Sequence, residues 1–320
     1  MRNKLGRARR INYIQDAMIL SRTSRIALDP LSDALIAFGT GPAQATRLEA
    51  AGDWSLHFGS RDRLKFIGLV RGTCCLLFPN QEPAWLKEGD VLLIGRTDYV
   101  VASDPHLKPA DGSELYAQGE KDTLRLGGDD VLLIGSSVGL NDAGAGFVLD
   151  ALPPFYRIAG DRSEAGSISR LLEIVDCEAR LERPGSRLAA MRLAELLLIE
   201  GVRVFIAGEG ALCVGWIGAL GDRQVGEALT LIHADPAGQW TVPRLAAEVG
   251  MSRSGFSERF SRKVGRPPLD YLRRWRMLLA RQLLARNDIS VEQVARRVGY
   301  ASQSAFGFAY KRTFGSSPMQ

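Results

Sequence analysis

The side chains able to make bonds or hold a metal are few and scattered. The four cysteines, Cys74, Cys75, Cys177 and Cys213, have no CxxC or Cys/His ligand spacing. Such usage suits a reducing compartment better than a disulfide framework. Upstream of residue 222 only His57 and His106 offer an imidazole, and no His-x-His occurs anywhere. No hydrolase triad stands out. The chemistry that is concentrated is cationic. Residues 222–320 hold 16 Lys and Arg against 8 Asp and Glu (net +8), and residues 1–221 hold 25 against 28 (net −3). A basic excess confined to one part of the chain points to a polyanionic partner for that part alone, because phosphate neutralisation is a local surface property. Nucleic acid is the expected partner.

Such cations need rigid elements to aim them, and an internal repeat supplies these. Residues 241–251 (TVPRLAAEVGM) and 290–300 (SVEQVARRVGY) share one design at an offset of 49 positions. Thr241 and Ser290 are natural helix N-caps, and Ser290 with Gln293 predicts a capping box. Gly250 and Gly299 permit a left-handed turn after each helix. Ala246 and Ala295, four residues earlier, let a second helix cross closely, as a helix-turn-helix requires. Second helices should start near Ser252 and Ser302, anchored inward by Phe256 and Phe260 in one and by Phe306 and Tyr310 in the other. Each ends in a Gly-x-x-Pro stop. Between the units one long helix, about 269–286, should hold them apart, with Leu272, Trp275, Leu279 and Leu283 inward and Arg273, Arg274 and Arg281 mostly outward. Two recognition helices so held can enter successive major grooves about 34 Å apart.

With 320 residues, 46% hydrophobic and 24% charged, the chain fits a soluble protein of two units with separate cores. Residues 30–160 break into short β-forming runs at 65–70, 73–78, 91–94, 99–102 and 131–134, punctuated by Gly, Pro and Asp. The hexapeptide DVLLIG occurs at 90–95 and again at 130–135. This predicts a β-barrel or sandwich. Helical spacing begins at Ser163 and marks residues 161–221 as connecting helices. The second of these, near 187–199, is apolar over much of its circumference, which burial within a homodimer would explain. The stretch 193–220 carries Glu195, Glu200, Arg203 and Glu209, too many charges for a membrane span. Residues 1–29 form a basic N-terminal extension without an export signal and without an assigned role, so a cytoplasmic location is expected. The fold class is therefore α+β multidomain.

Residues 222–320 closely resemble the C-terminal double helix-turn-helix domain of the AraC/XylS family of bacterial transcription regulators. The most specific part is 290–319, with its Ala-x-x-x-Gly-Tyr, spaced aromatics and closing Gly-x-x-Pro. The resemblance implies base reading by Arg253, Ser254, Ser257 and Glu258 in the first recognition helix. In the second it implies Ser302, Gln303, Ser304 and Ala305. Gln303 suits adenine and Glu258 suits cytosine. Phosphate contacts would fall to Arg262, Lys263, Lys311 and Arg312. Gly307 and Phe308 depart from the family pattern, which has a polar or basic residue there, so the second helix is expected to read DNA weakly.

The segments at 64–72, 83–96 and 152–158 resemble the cupin-like sensor domain of one branch of that family. The metal ligands of enzymatic cupins are missing, so no metal, no cofactor and no enzyme activity are expected; a catalytic cupin fused to a DNA-binding module is the remote alternative. The barrel interior would instead take a small apolar or aromatic effector, lined by Trp54, Phe66, Leu76, Trp85 and Tyr99. Cys74 and Cys75 should face opposite sides of a strand, with at most one inside. Redox sensing through them is a second regulatory reading. The resemblance implies a sequence-specific regulator of promoter DNA, an activator touching RNA polymerase, driven by a small-molecule signal.

Overall fold

The computed structural model describes residues 29–38, 40–118, 123–140, 142–161, 163–181, 183–208, 213–285 and 289–318. The basic N-terminal extension, apart from Asp29, lies outside the described residues. Helix α1 (Pro30–Phe38) leads into β1 (Thr40–Ala50), β2 (Ser55–Phe58), β3 (Arg63–Arg71), β4 (Thr73–Leu77), β5 (Ala84–Lys87), β6 (Val91–Ile94), β7 (Tyr99–Ala102) and β8 (Ala110–Asp111). There follow α2 (Gly112–Gln118), β9 (Thr123–Leu126), β10 (Val131–Leu140), α3 (Asp142–Leu149) and β11 (Phe155–Ile158). Then come α4 (Ser163–Leu181), α5 (Ser186–Ala207), α6 (Trp216–Ala219), α7 (Arg223–Ala234), α8 (Val242–Glu248), α9 (Arg253–Val264), α10 (Pro268–Ala285), α11 (Val291–Arg297) and α12 (Gln303–Phe314).

The β-forming runs pair into two sheets, ordered β11-β6-β3-β10-β1-β9 and β5-β4-β7-β2-β8. They face each other across Ile67, Leu69, Leu92 and Leu133 of the larger sheet and Leu56, Leu76, Leu86 and Val101 of the smaller. Of the expected barrel or sandwich the domain forms the cupin-like sandwich, and the β-barrel is corrected on this point, because no ladder joins the two sheets at either edge among the described residues. The outer face of the six-stranded sheet is covered by α4 and α5, so that sheet is apolar on both sides. Gly201 on α5 is where the Phe66 ring meets the helix backbone: a Cβ there would lie 2.4 Å from the ring edge.

The helical stretch begins at Ser163 as the spacing predicts, but α5 runs on to Ala207. It buries Ala194, Leu197, Leu198, Val202 and Phe205 while Leu188, Met191 and Leu196 stay on the surface. The expectation of separate cores is not met. One buried cluster runs from α1 and the outer face of the large sheet through Phe147, Trp216 and Leu229 to Phe256, Phe260 and Trp275. A second, smaller cluster in this half holds α11 and α12 around Met277, Val294 and Phe306. The N-terminal half is therefore fused to the first helix-turn-helix unit, not to the second.

Candidate nucleic-acid interface

Each helix of the repeat starts where its cap residue dictates. Thr241 accepts from the Arg244 N–H, Ser252 from Gly255 and Ser302 from Ala305, while Ser290 and Gln293 complete the capping box. Gly250 and Gly299 take φ of 66° and 83°, which a side chain would strain, and the chain turns there into α9 and Tyr300. Ala246 and Ala295 are buried at the crossings. Phe256 and Phe260 point inward from α9, as do Phe306 and Tyr310 from α12.

Helix α10 is the brace between the units, and its two faces serve different cores. Tyr271, Leu272, Trp275 and Leu278 join the first unit's cluster, and Met277 and Ala280 join the second's. Leu279 and Leu283 are only partly buried. Arg276 donates to the carbonyls of Pro236 (2.6 Å) and Gly238 (2.8 Å), tying the brace to the loop before α8. At the start of α7, Asp222 caps the helix through the Val225 N–H and takes two bonds from Arg259 of α9, at 3.0 and 2.9 Å. Burial alone would raise this carboxyl, but the Arg259 and Val225 hydrogen bonds outweigh it and hold it below the usual carboxylate range.

On α9 the side chains of Arg253, Ser254 and Glu258 are exposed and Ser257 is half-buried; Gln303, Ser304 and Ala305 at the start of α12 are exposed, as is Ser302 before it. The Ser302 hydroxyl is already engaged as the α12 cap. Arg262, Lys311 and Arg312 are exposed and Lys263 is half-buried. The four cations therefore lie in the last turns of the two recognition helices. Phe308 is 75% exposed on α12, the most exposed large apolar side chain among the described residues.

A joint between the β-sheet half and the helix-turn-helix half has no signal in the sequence that periodicity could find. Phe147 of α3 stacks on Trp216 (centroids 5.1 Å) and lies 5.7 and 5.8 Å from Tyr271 and Trp275 of the brace. The Trp216 indole N–H donates to the Phe147 carbonyl, and Arg274 reaches Asp150 at 3.4 Å. His233 of α7 is buried against Trp275, ring centroids 4.0 Å apart, and shares a 2.7 Å hydrogen bond with the Tyr271 hydroxyl. Burial pushes its pKa down to about 3, so the ring is neutral.

The five residues expected to line an effector pocket do not meet. Tyr99 lines a cavity of about 350 Å³, together with Phe58, Arg61, Arg63, Lys65 and Ile94. Trp54 and Leu76 are packed in the core between the sheets, Phe66 faces α5 on the other side of β3, and Trp85 is about half exposed. The reason for Phe66 is phase: on a strand, Lys65 and Phe66 must point to opposite faces. Cys74 and Cys75 face opposite sides of β4, with only Cys74 in the core between the sheets, although both are buried. Cys74 lies between the sheets, and Cys75 donates to the Ala102 carbonyl on the far side. Burial raises both thiols, Cys74 to about 12, which opposes the thiolate that redox sensing needs. His57 is half-buried on β2 and His106 exposed in a turn. Among the described residues no three His, Cys, Asp or Glu side chains converge as metal ligands, and no helix is long and apolar enough to cross a membrane.

Comparison with known proteins agrees with this architecture. The Cupin family matches residues 29–207, and the Helix-turn-helix domain family matches residues 245–320. The chain is 36% identical over 294 residues to the "Putative AraC-like transcription regulator" of Streptomyces lividans, covering 91% of this chain and 97% of that one. It is 30% identical to the HTH-type transcriptional regulator AlkR of Acinetobacter baylyi, over 85% of this chain and 91% of that protein. A crystal structure of the DNA-binding domain of AdpA with a target DNA is 36% identical over 30% of this chain and 87% of its own, with a TM-score of 0.29. With a cupin-type domain in front and a double helix-turn-helix behind, this chain belongs to the AraC/XylS family of DNA-binding transcription regulators.

Proposed function

We propose that the chain is a one-component transcription activator of the cytoplasm, not an enzyme, in which residues 30–160 sense a small molecule, 161–221 connect and dimerise, and 222–320 bind a promoter. The observation that carries this reading is the placement of two recognition helices on one brace, α10, which also carries the sensor's Phe147. Whatever moves α3 must move the brace or break that contact. Arg253, Ser254, Ser257 and Glu258 on α9, and Gln303, Ser304 and Ala305 on α12, are assigned to bases, and Arg262, Lys263, Lys311 and Arg312 to phosphates. Ser302 is assigned to a base as well, since its oxygen accepts from the Ala305 N–H as the α12 cap while its O–H can still donate. The exposed Ile174 and Leu181 of α4 and Leu188, Met191 and Leu196 of α5 are the surface on which a second copy would pack. Contact with RNA polymerase follows from the activator reading.

The test is competition binding of the intact chain to the DNA upstream of its own gene, against scrambled DNA at physiological salt. A preference of about a thousandfold or more supports a specific reader. Equal affinity, with a steep salt slope, would reduce the chain to a backbone binder.

A further inference from the structure

The cavity beside Tyr99 is bounded by β1, β2, β3, β6, β7, β10 and α2. Its volume of about 350 Å³ lies at the small end of the range for small-molecule sites, about 300–1,000 Å³. Its charge is one-sided. Arg61, Arg63 and Lys65 line it at alternate positions leading into and along β3, and no Asp or Glu does among the described residues. Among the described residues Arg63 donates to neutral acceptors, Gln44 Oε1 at 3.2 Å and Ser137 Oγ at 3.4 Å. The neighbouring carboxylates are turned elsewhere, Asp62 to Arg96 and Asp98 to the Ser60 N–H. Lys65 Nζ rests on aromatic faces instead, 4.6 Å from the Phe58 centroid and 5.8 Å from that of Tyr99.

By contrast Arg47, also half-buried in this domain, is paired with Glu49 and Asp176. Three clustered cations with no carboxylate among the described lining residues cost stability through mutual repulsion. Burial and the two arginines push Lys65 down to about 8. A bound anion would remove that cost. The walls also have a flat apolar part: Phe58 and Tyr99 are stacked with centroids 5.1 Å apart and planes 20° from parallel, beside Ile94. The Tyr99 hydroxyl is buried without a hydrogen-bond partner, leaving a donor beside the cations.

We propose that this cavity binds a small aryl carboxylate, its anion paired by Lys65 between Arg61 and Arg63 and its ring seated on the Phe58–Tyr99 stack. This rests on the reading that the N-terminal domain senses a small molecule, and names the chemical class of that molecule.

The test is titration calorimetry of the full chain with benzoate, trans-cinnamate and 2-naphthoate, each against its neutral carboxamide. At least one acid should bind about tenfold or more tightly than its amide, as expected for a desolvated charge-assisted pair. Lys65→Met should abolish that preference and leave the affinity of the amide unchanged. Should Lys65→Met not fold, Arg63→Gln reports the same preference from a half-exposed position. Acids and amides binding alike, or a preference that survives both substitutions, would overturn the assignment while leaving the sensor reading in place. Binding by neither class also overturns it. The sensor reading falls as well only if the small-molecule fraction of a cell extract leaves the unfolding temperature of the chain unchanged.

Discussion

His233 offers a direct test of the joint between the cupin-type and DNA-binding parts. Its ring is enclosed by Trp216, Tyr271 and Trp275, and burial lowers its pKa from 6.5 to about 3. Because the unfolded chain takes up the proton first, acid favours unfolding through this group. Its contribution is full above about pH 6.5 and is lost progressively as pH falls toward about 3, at up to about 1.4 kcal/mol per pH unit. Between pH 7 and pH 5 the loss attributable to His233 comes to about 2 kcal/mol. The variant His233→Gln cannot titrate yet can still bond the Tyr271 hydroxyl. Urea unfolding followed by tryptophan fluorescence, at both pH values, should show the wild type losing about 2 kcal/mol more than the variant. Equal losses would refute the reasoning, since they would mean that the ring accepts its proton in place. If the variant does not fold, the wild-type imidazole resonances decide: a His233 signal titrating near its ordinary pKa would equally show that the site is open to water.

The same joint should fail when its aromatic peg is removed: Phe147→Ala is expected to cost about 3–5 kcal/mol in chemical unfolding, and a loss under about 1 kcal/mol would show that α3 does not dock on the brace in solution. Asp222→Asn keeps an N-cap but loses the charge-assisted bonds to Arg259, for about 1–2 kcal/mol after allowance for solvent at the arginine end. The Asp222 carboxyl is held low in the folded state, so its contribution is present above the ordinary carboxylate range and lost as pH falls through it; unfolding curves of the asparagine variant should lack that part of the acid sensitivity. On DNA, Gln303→Ala should cost about 1–3 kcal/mol at one base pair and relax selectivity there. Lys311→Ala should weaken all sequences alike and lower the salt slope by about one; a sequence-selective loss would move Lys311 from the phosphates to the bases.

The C-terminal domain was legible because its rules are local. A cap, a small residue and a glycine at fixed spacing lie within eleven residues in each repeat, and the structure places Thr241, Ala246 and Gly250, and Ser290, Ala295 and Gly299, in those roles. What lies between domains was not legible. Phe147 and Trp216 are 69 positions apart in sequence, and neither carries a local pattern that names the other. The cavity escaped for a related reason. Lys65 on its strand looks like one more surface cation, and only the pairing of β3 with β6 and β10 turns its side chain, and not that of Phe66, toward the cavity.

The repeated hexapeptide shows where the sequence stops deciding. Composition alone establishes that both copies of DVLLIG are buried strands, and both flank β3 antiparallel, as β6 and the start of β10. Yet they use opposite faces. In the first copy Leu92 and Ile94 enter the core between the sheets and Val91 and Leu93 face the helices. In the second, Val131 and Leu133 enter the inter-sheet core while Ile134 faces the helices. A strand apolar on both sides fits either phase, so its own residues cannot choose. The choice came from its partners: the irregularity between Leu132 and Leu133 against β3, the sheet packed on one side and the helices on the other.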